Sequence, residues 1–261
     1  MFRSALTAAE VCPVASIFCI VTSAKRLAPA DSSRVILRST NLEEPMSANL
    51  VVLASGEGTT LQAILDACGT RIDATITAVG TDRLGTGAEA RAGRHGIPVF
   101  TNTLEDFTSR DDFDRALARA IGKFDPDLLV LAGYMKILSS AVIGTYPTIN
   151  THPALSPSFP GAHAVRDALA HGVKVTGVTI HWVDEGIDTG EIIAQAPVAV
   201  ADDDTTDSLR RRIQSIERDL YVKVIGELVS ESPLTLRRHL TQPGIDRDGE
   251  TGSDGPEQHQ S

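Results

Sequence analysis

The stretch Asn49 to Cys68, NLVVLASGEGTTLQAILDAC, opens with an almost unbroken apolar run and then turns on two glycines. An apolar segment of strand length bounded by turn residues is a strand buried on both faces, so a strand is predicted over Asn49 to Ser55. After GEGTT the apolar residues return at helical spacing, and a helix is predicted from Leu61 to Cys68. Gly56 and Gly58 let the backbone turn tightly between the two elements. The N–H groups of Gly58, Thr59 and Thr60 then open onto the positive end of the helix, which suits an anion. The loop lacks the lysine of a nucleotide P-loop, and Leu61 stands where a dinucleotide fingerprint has its third glycine. A single terminal phosphate is the ligand this loop predicts.

The same strand-then-helix alternation continues outward. ATITAVGT reads as a second strand, GAEARAGRHG as a helix stopped by glycine, and IPVF as a short strand. A helix is predicted from Ser109 to Phe124 with Ser109 as its N-cap, and PDLLVLAG is the next buried strand. Such alternation gives an α/β fold, a Rossmann-like, mostly parallel sheet with helices on both faces. Ligands of such sheets bind at the carboxyl ends of the strands, where Ser55, Gly133 and Asn150 fall. Past residue 170 the style changes: GVTIHWVDEGIDTGEIIAQAPVAV reads as two strands around the acidic turn Asp184 to Gly190, an antiparallel hairpin extending the sheet.

Composition narrows the function. At 261 residues, 42% hydrophobic and 22% charged, the chain can bury a substantial core. A net charge of −10 offers no dense basic footprint for nucleic acid, leaving small molecules as the partners. Cys12, Cys19 and Cys68 make neither a metal-ligand spacing nor a disulfide framework, which fits a reducing cytoplasmic setting and no metal. The apolar segment Val11 to Ala24 is interrupted by Pro13, follows Glu10, and is too short to span a bilayer. No amphipathic repeat precedes Met46, so residues 1–47 are expected to be a disordered extension, as from a start codon placed too far upstream. The polar, Gly/Pro-rich residues 242–261 are expected to be a disordered tail.

Two short segments carry the chemistry. In TINTHPALSPSFP, Thr148 to Pro160, Asn150 and His152 stand at i and i+2 of an extended segment and so point the same way. The three prolines that follow keep the chain from starting a helix and give the pair a stiff base. Asp188 sits in the hairpin turn; taken alone it reads as a turn-forming Asp bonded to its own backbone. A lone His is likewise more often structural. Asn, His and Asp arriving at one sheet edge together with a phosphate loop make a functional reading the better one.

Four ordered segments, LVVLASGEGTTLQAILDAC, LVLAGYMKIL, INTHPALSPSFPGAH and GVTIHWVDEGIDTGEIIAQ, closely resemble the phosphoribosylglycinamide formyltransferases of purine biosynthesis, over about Asn49 to Val229. The resemblance implies a formyltransferase domain over 48–230, with a phosphoribosyl-binding half over about 48–147 and a folate and catalytic half over about 148–230. It implies 10-formyltetrahydrofolate as co-substrate, phosphoribosylglycinamide as acceptor, no metal, no nucleic acid or membrane partner, and a monomer or homodimer. The catalytic residues it implies are Asn150, His152 and Asp188, and the substrate-binding ones Gly58, Thr59, Thr60 and Glu217. For the folate it implies Arg110, Met135, Lys136, Ile137, Leu138 and Asn150. Thr60 replaces an Asn common in the phosphate loop, Ser156 replaces a usual Leu, and Arg218 stands where some relatives carry His. A hydroxyl at 60 is expected still to meet a phosphate oxygen.

The implied reaction accounts for the residue types. An amine attacks the formyl carbon directly, the oxygen becomes negative, and the departing nitrogen takes a proton. An Asn amide donates to the oxyanion and a protonated imidazole adds a charged donor, with Asp188 expected to raise the pKa of His152 and to accept, through water, the proton shed by the amine. Within the same superfamily, methionyl-tRNA formyltransferase carries a further C-terminal nucleic-acid-binding domain, and only about 30 residues follow Val229 here. Formyltetrahydrofolate deformylase carries a ferredoxin-like N-terminal domain, for which the first 45 residues are too short and wrongly patterned. A non-catalytic phosphosugar-binding protein needs the loop but not Asn, His and Asp. His163 and His181 stay open between structural and functional roles.

Overall fold

Seven strands make one sheet in the computed structural model, which describes residues 47–230 and Leu236. They are β1 (Ala48–Ala54), β2 (Ala74–Thr81), β3 (Val99–Thr101), β4 (Leu128–Leu131), β5 (Thr148–His152), β6 (Val175–Trp182) and β7 (Ile192–Ala199). Their order is β3-β2-β1-β4-β5-β6-β7. The first five pair parallel, and β6 and β7 pair antiparallel. Parallel neighbours need crossovers, supplied by helices α1 (Thr59–Ala67), α2 (Gly87–Arg94), α3 (Arg110–Gly122) and α4 (Ser140–Ile143). Helix α5 (Ala164–His171) follows β5, and α6 (Thr206–Ser230) follows β7. The expected extension 1–47, apart from Ser47, and the expected tail 242–261 lie outside the described residues.

The continuous apolar run of β1 is explained by its two covered faces. Leu50, Val52 and Ala54 pack with Leu61, Ile64 and the inner face of α6, while Val51 and Leu53 pack on Phe113, Leu117 and Ile121 of α3. Helix α1 starts at Thr59, two residues before the position expected from apolar spacing, so Thr59 and Thr60 belong to its first turn. Ser109 is the N-cap of α3, its hydroxyl accepting from Asp112 N–H at 3.1 Å.

Helix α6 escapes a simple apolar count because its stripe is mixed. Leu209, Ile213, Glu217, Tyr221 and Ile225 recur at four-residue spacing and all are buried. The Tyr221 hydroxyl, fully buried, lies 3.1 Å from both the Leu131 carbonyl, at the end of β4, and the Ile149 carbonyl, just before Asn150 in β5. It ties α6 to the two strands that present the site. Tyr221→Phe leaves these carbonyls short of a donor and is expected to lower stability by about 1–2 kcal/mol; chemical unfolding of the variant beside the parent checks this.

Candidate active site

Strand β5 is placed so that each neighbour adds one group. Its antiparallel register with β6 sets Asn150 directly opposite His181 and His152 opposite Thr179. Cross-strand partners share a face, so Asn150, His152 and His181 converge. Thr179, fully buried, donates its hydroxyl to the Ala154 carbonyl at 2.7 Å and accepts from Ser156 N–H and Gln195 Nε2, each at 2.9 Å. These bonds pin the proline-rich segment after β5. Ser156 therefore serves here through its backbone, and its own hydroxyl is buried with no hydrogen-bond partner.

The turn between β6 and β7 holds two aspartates with separate duties. Asp184 accepts from Gly186 N–H at 3.1 Å and from the Thr189 hydroxyl at 2.8 Å, the turn-forming role that a lone Asp in this sequence suggests. Asp188 has φ 56, a left-handed conformation that Asp tolerates, and its carboxylate turns inward. Oδ2 accepts from Gly161 N–H at 2.8 Å and meets His152 Nδ1 at 3.1 Å. Oδ1 faces His181 Nε2 at 3.6 Å and accepts from Asn150 Nδ2 at 3.4 Å. The predicted Asn150, His152 and Asp188 are thus brought together, with His181 as the fourth member. His181 sits 3.3 Å from Asn150 Nδ2 through Nε2, while its Nδ1 lies 2.8 Å from the Trp182 carbonyl. A carbonyl needs a donor, so Nδ1 carries a proton, and Nε2 faces both the Asn150 amide and the Asp188 carboxylate.

His152 is 3% exposed and has acceptors on both sides, since its Nε2 lies 3.0 Å from the Phe159 carbonyl. Only a doubly protonated ring satisfies both. Burial works against that state and outweighs the charge of Asp188 and the Phe159 carbonyl, leaving the His152 pKa below its ordinary value. Asp188 does pull the pKa up, as expected, but desolvation outweighs that pull. Burial would raise the Asp188 carboxyl too, but the His181 ring, Gly161 N–H and His152 together hold it below the usual carboxylate range.

Two adjoining cavities open at this edge of the sheet. One of ≈ 330 Å³ contains Asn150, His152, His181 and Asp188 in its wall and is otherwise largely apolar, with Met135, Ile137, Leu138, Val183 and Ile187. The other, ≈ 510 Å³, is lined by the loop 56–60, by Glu217, and by His163, Arg166, Arg210 and Gln214. Gly133, Met135, Thr151, Pro153 and Ala162 belong to both. Lys136 also lines the smaller cavity. Gly58 is the N-cap of α1 at φ 69, and a Cβ there would lie 2.7 Å from the Ala88 Cα, so α2 packs directly on the loop.

Some expected contacts are arranged differently. The Thr60 hydroxyl, expected to face a phosphate, donates to Glu217 Oε1 at 3.0 Å, and burial pushes the Glu217 carboxyl up. Arg110 is not in the wall of the smaller cavity; its Nε bonds Asp114 at 2.9 Å and its Nη2 the Ile137 carbonyl, so it braces the wall from behind. Arg166 of α5 and Arg210 and Gln214 of α6 are not among the expected site residues. For α6 the signal lies in its buried stripe, where Glu217 occupies an apolar position. Among the described residues, no group of three or more His, Cys, Asp or Glu could hold a metal ion, and no helix is long and apolar enough to cross a membrane.

The family model described as formyl transferase matches residues 48–225, which include the whole sheet and every residue of the Asp188 cluster. The phosphoribosylglycinamide formyltransferase of Mycobacterium tuberculosis H37Rv is 47% identical over 196 residues, 74% of this chain and 91% of that one. That of Escherichia coli K12 is 41% identical over 181 residues, covering 68% and 85%. Among solved structures, glycinamide ribonucleotide transformylase 1 from Symbiobacterium toebii superposes with a TM-score of 0.70 at 40% identity, covering 72% of this chain and 90% of that one. The chain belongs to the formyl transferase family, among its phosphoribosylglycinamide formyltransferases.

A buried histidine with a lowered pKa makes stability depend on pH. Unfolded, His152 binds its proton near pH 6.5; folded, it does so only lower, so stability is full above that value and falls as pH drops toward the folded pKa. Asp188 acts in the same direction further down, below about pH 3.9. The melting temperature is expected to fall between pH 7 and 5 more steeply in the parent than in His152→Gln, which thermal melts across that range check.

Proposed function

We propose that the chain transfers a formyl group from 10-formyltetrahydrofolate to the amine of phosphoribosylglycinamide in de novo purine biosynthesis, in the cytoplasm. The observation that carries the reading is the Asp188 carboxylate, which meets His152, His181, Asn150 and Gly161 N–H in the wall of the smaller cavity, beside the larger one. The smaller, apolar cavity suits the flat ring system of a folate, with Met135, Lys136, Ile137 and Leu138 along one wall. The larger cavity suits a phosphosugar: first-turn amides of α1 at Gly58, Thr59 and Thr60, the guanidinium groups of Arg166 and Arg210, and Glu217 for sugar hydroxyls.

When bound, the folate supplies the formyl group on a nitrogen that then departs. Asn150 Nδ2 is placed to donate to the formyl oxygen as charge gathers there, exchanging contacts of 3.3 and 3.4 Å for a shorter one. Negative charge in the cavity offsets the burial of His152 and draws its ring toward the imidazolium that Asp188 and the Phe159 carbonyl already fit. Asp188, ionised, accepts through water the proton shed by the attacking amine and returns it by the same route to the nitrogen that departs as its bond to the formyl carbon breaks. The direct test follows formyl transfer with and without the ribonucleotide acceptor. Donor consumption that is independent of acceptor would mark a hydrolase, and binding of the phosphosugar without turnover a non-catalytic module.

Two variants separate the roles. Asp188→Asn is expected to raise the barrier by on the order of 3 kcal/mol, about a hundredfold in rate, with folate affinity and melting temperature little changed. Near-normal turnover in a less stable protein would make Asp188 structural. Gly58→Val forces a side chain against Ala88 and distorts the loop, so it is expected to weaken phosphosugar binding selectively; calorimetric titration of each ligand shows whether both weaken equally, which would refute the division of the cavities.

A further inference from the structure

A loop that shows its amides to an anion has to turn its carbonyls elsewhere, and the three carbonyls of Gly56, Glu57 and Gly58 are each held by a different donor. The Gly58 carbonyl accepts from Gln62 N–H at 2.9 Å, the first bond of α1. The Gly56 carbonyl accepts from Ala88 N–H at 3.1 Å, one of the amides left over at the start of α2. The Glu57 carbonyl, between them, accepts from a side chain, Arg91 Nε of α2, at 2.8 Å. Arg91 also donates from Nη1 to Gln62 Oε1 at 3.0 Å, and Gln62 Nε2 donates in turn to Asp66 Oδ1 at 2.8 Å, so α1 holds the guanidinium in place. Gly87, the first residue of α2, leaves room for the carbonyl: a Cβ there would lie 2.6 Å from the Glu57 oxygen. A surface cross-link between α1 and α2 needs neither that carbonyl nor that gap.

We propose that Arg91 is a positioning residue for the acceptor: by holding the Glu57 carbonyl on α2 it keeps the Gly58 amide aimed at the phosphate. The inference rests on the functional reading given above. In a trans peptide the carbonyl and the following N–H point opposite ways. Drawing the Glu57 oxygen onto α2 therefore turns Gly58 N–H away from α2, toward the larger cavity, which Glu57 and Gly58 line and no residue of α2 does. Gly58, at φ 69, offers little steric resistance to rotation of this peptide, and a rotated peptide would aim a carbonyl oxygen at the anion. Arg91 itself is in the wall of neither cavity, so it acts through the loop and not by contact with a ligand. Asn150 and His152 lie on β5, and Asp188 lies in the turn after β6, so the reacting groups keep their places.

The test titrates phosphoribosylglycinamide and the folate donor separately by calorimetry, and measures kcat and the melting temperature, in the parent, Arg91→Met, Arg91→Gln and Gly87→Ala. Arg91→Met puts a methyl group the same number of bonds from Cα as Nε and so removes the donor. It is expected to weaken the phosphosugar roughly tenfold, with donor affinity and kcat within about threefold, since one amide contact to a charged group is lost and no transition-state contact. Arg91→Gln puts an amide nitrogen at that same place without the charge, and is expected to recover most of the loss. Gly87→Ala keeps the Arg91 charge but displaces the Glu57 carbonyl, and is expected to weaken the phosphosugar as Arg91→Met does; the Met and Gln pair carries the test if it fails to fold. Gln behaving no better than Met, or a folded Gly87→Ala that binds normally, would mean that Arg91 acts by its charge alone, which overturns the proposal. So does a lowered melting temperature with phosphosugar affinity unchanged, the mark of a merely structural Arg91, and so does equal weakening of both ligands. A parent that binds the phosphosugar but transfers no formyl group overturns the functional reading, while the binding series still decides the part played by Arg91; a parent that does not bind the phosphosugar overturns both.

Discussion

A buried carboxylate is the constraint around which this edge of the sheet is organised. An ion taken from water must find compensation nearby, and Asp188 finds it in one backbone amide, one amide side chain and two imidazoles drawn from the segment after β5, from β5 itself and from β6. Each of these contacts fixes the position of a group that has a different sequence address. The left-handed backbone at Asp188 and at Phe159, φ 56 and 54, shows where the chain is bent to bring the pieces in. Phe159 is too bulky to favour that conformation on its own, and its carbonyl is the one that holds His152; its ring packs edge-on against His171 at 5.4 Å between centroids.

The change from parallel to antiparallel pairing at β5 gives the site its two sides. To one side lie parallel strands whose loops end in a helix N-terminus. To the other lies a hairpin that places His181 and Asp188 against β5. Helix α6 closes the structure by running its buried stripe under β4 and β5, so that Glu217 reaches the larger cavity while Tyr221, one turn on, bonds the Leu131 and Ile149 carbonyls.

The parallel half was legible because buried strands read as unbroken apolar runs and because Ser109 and the glycines announce where helices start and stop. The hairpin and the pairing of Asn150 with His152 followed from period-two geometry. Other features depend on three-dimensional surroundings that local pattern does not carry. The Thr60 hydroxyl has Glu217 for a partner, 157 positions away. Arg110 lies where a ligand contact was expected, yet Asp114 and Ile137 already engage it. The direction of the His152 shift is set by how much water is excluded, which no spacing of residues reveals. Asp184 and Asp188, four residues apart in one turn, show the same limit: both fit a turn-forming role, and only the fold separates them.

The wall shared by the two cavities has a thermodynamic consequence. Met135 touches both spaces and is 62% exposed, so an occupant on either side limits the positions open to it. Two occupants that bias one movable element are linked, and linkage is reciprocal: whatever factor the first adds to the affinity of the second, the second returns to the first. Cooperativity between two such occupants then needs no change elsewhere in the sheet, because ordering a single side chain once serves both.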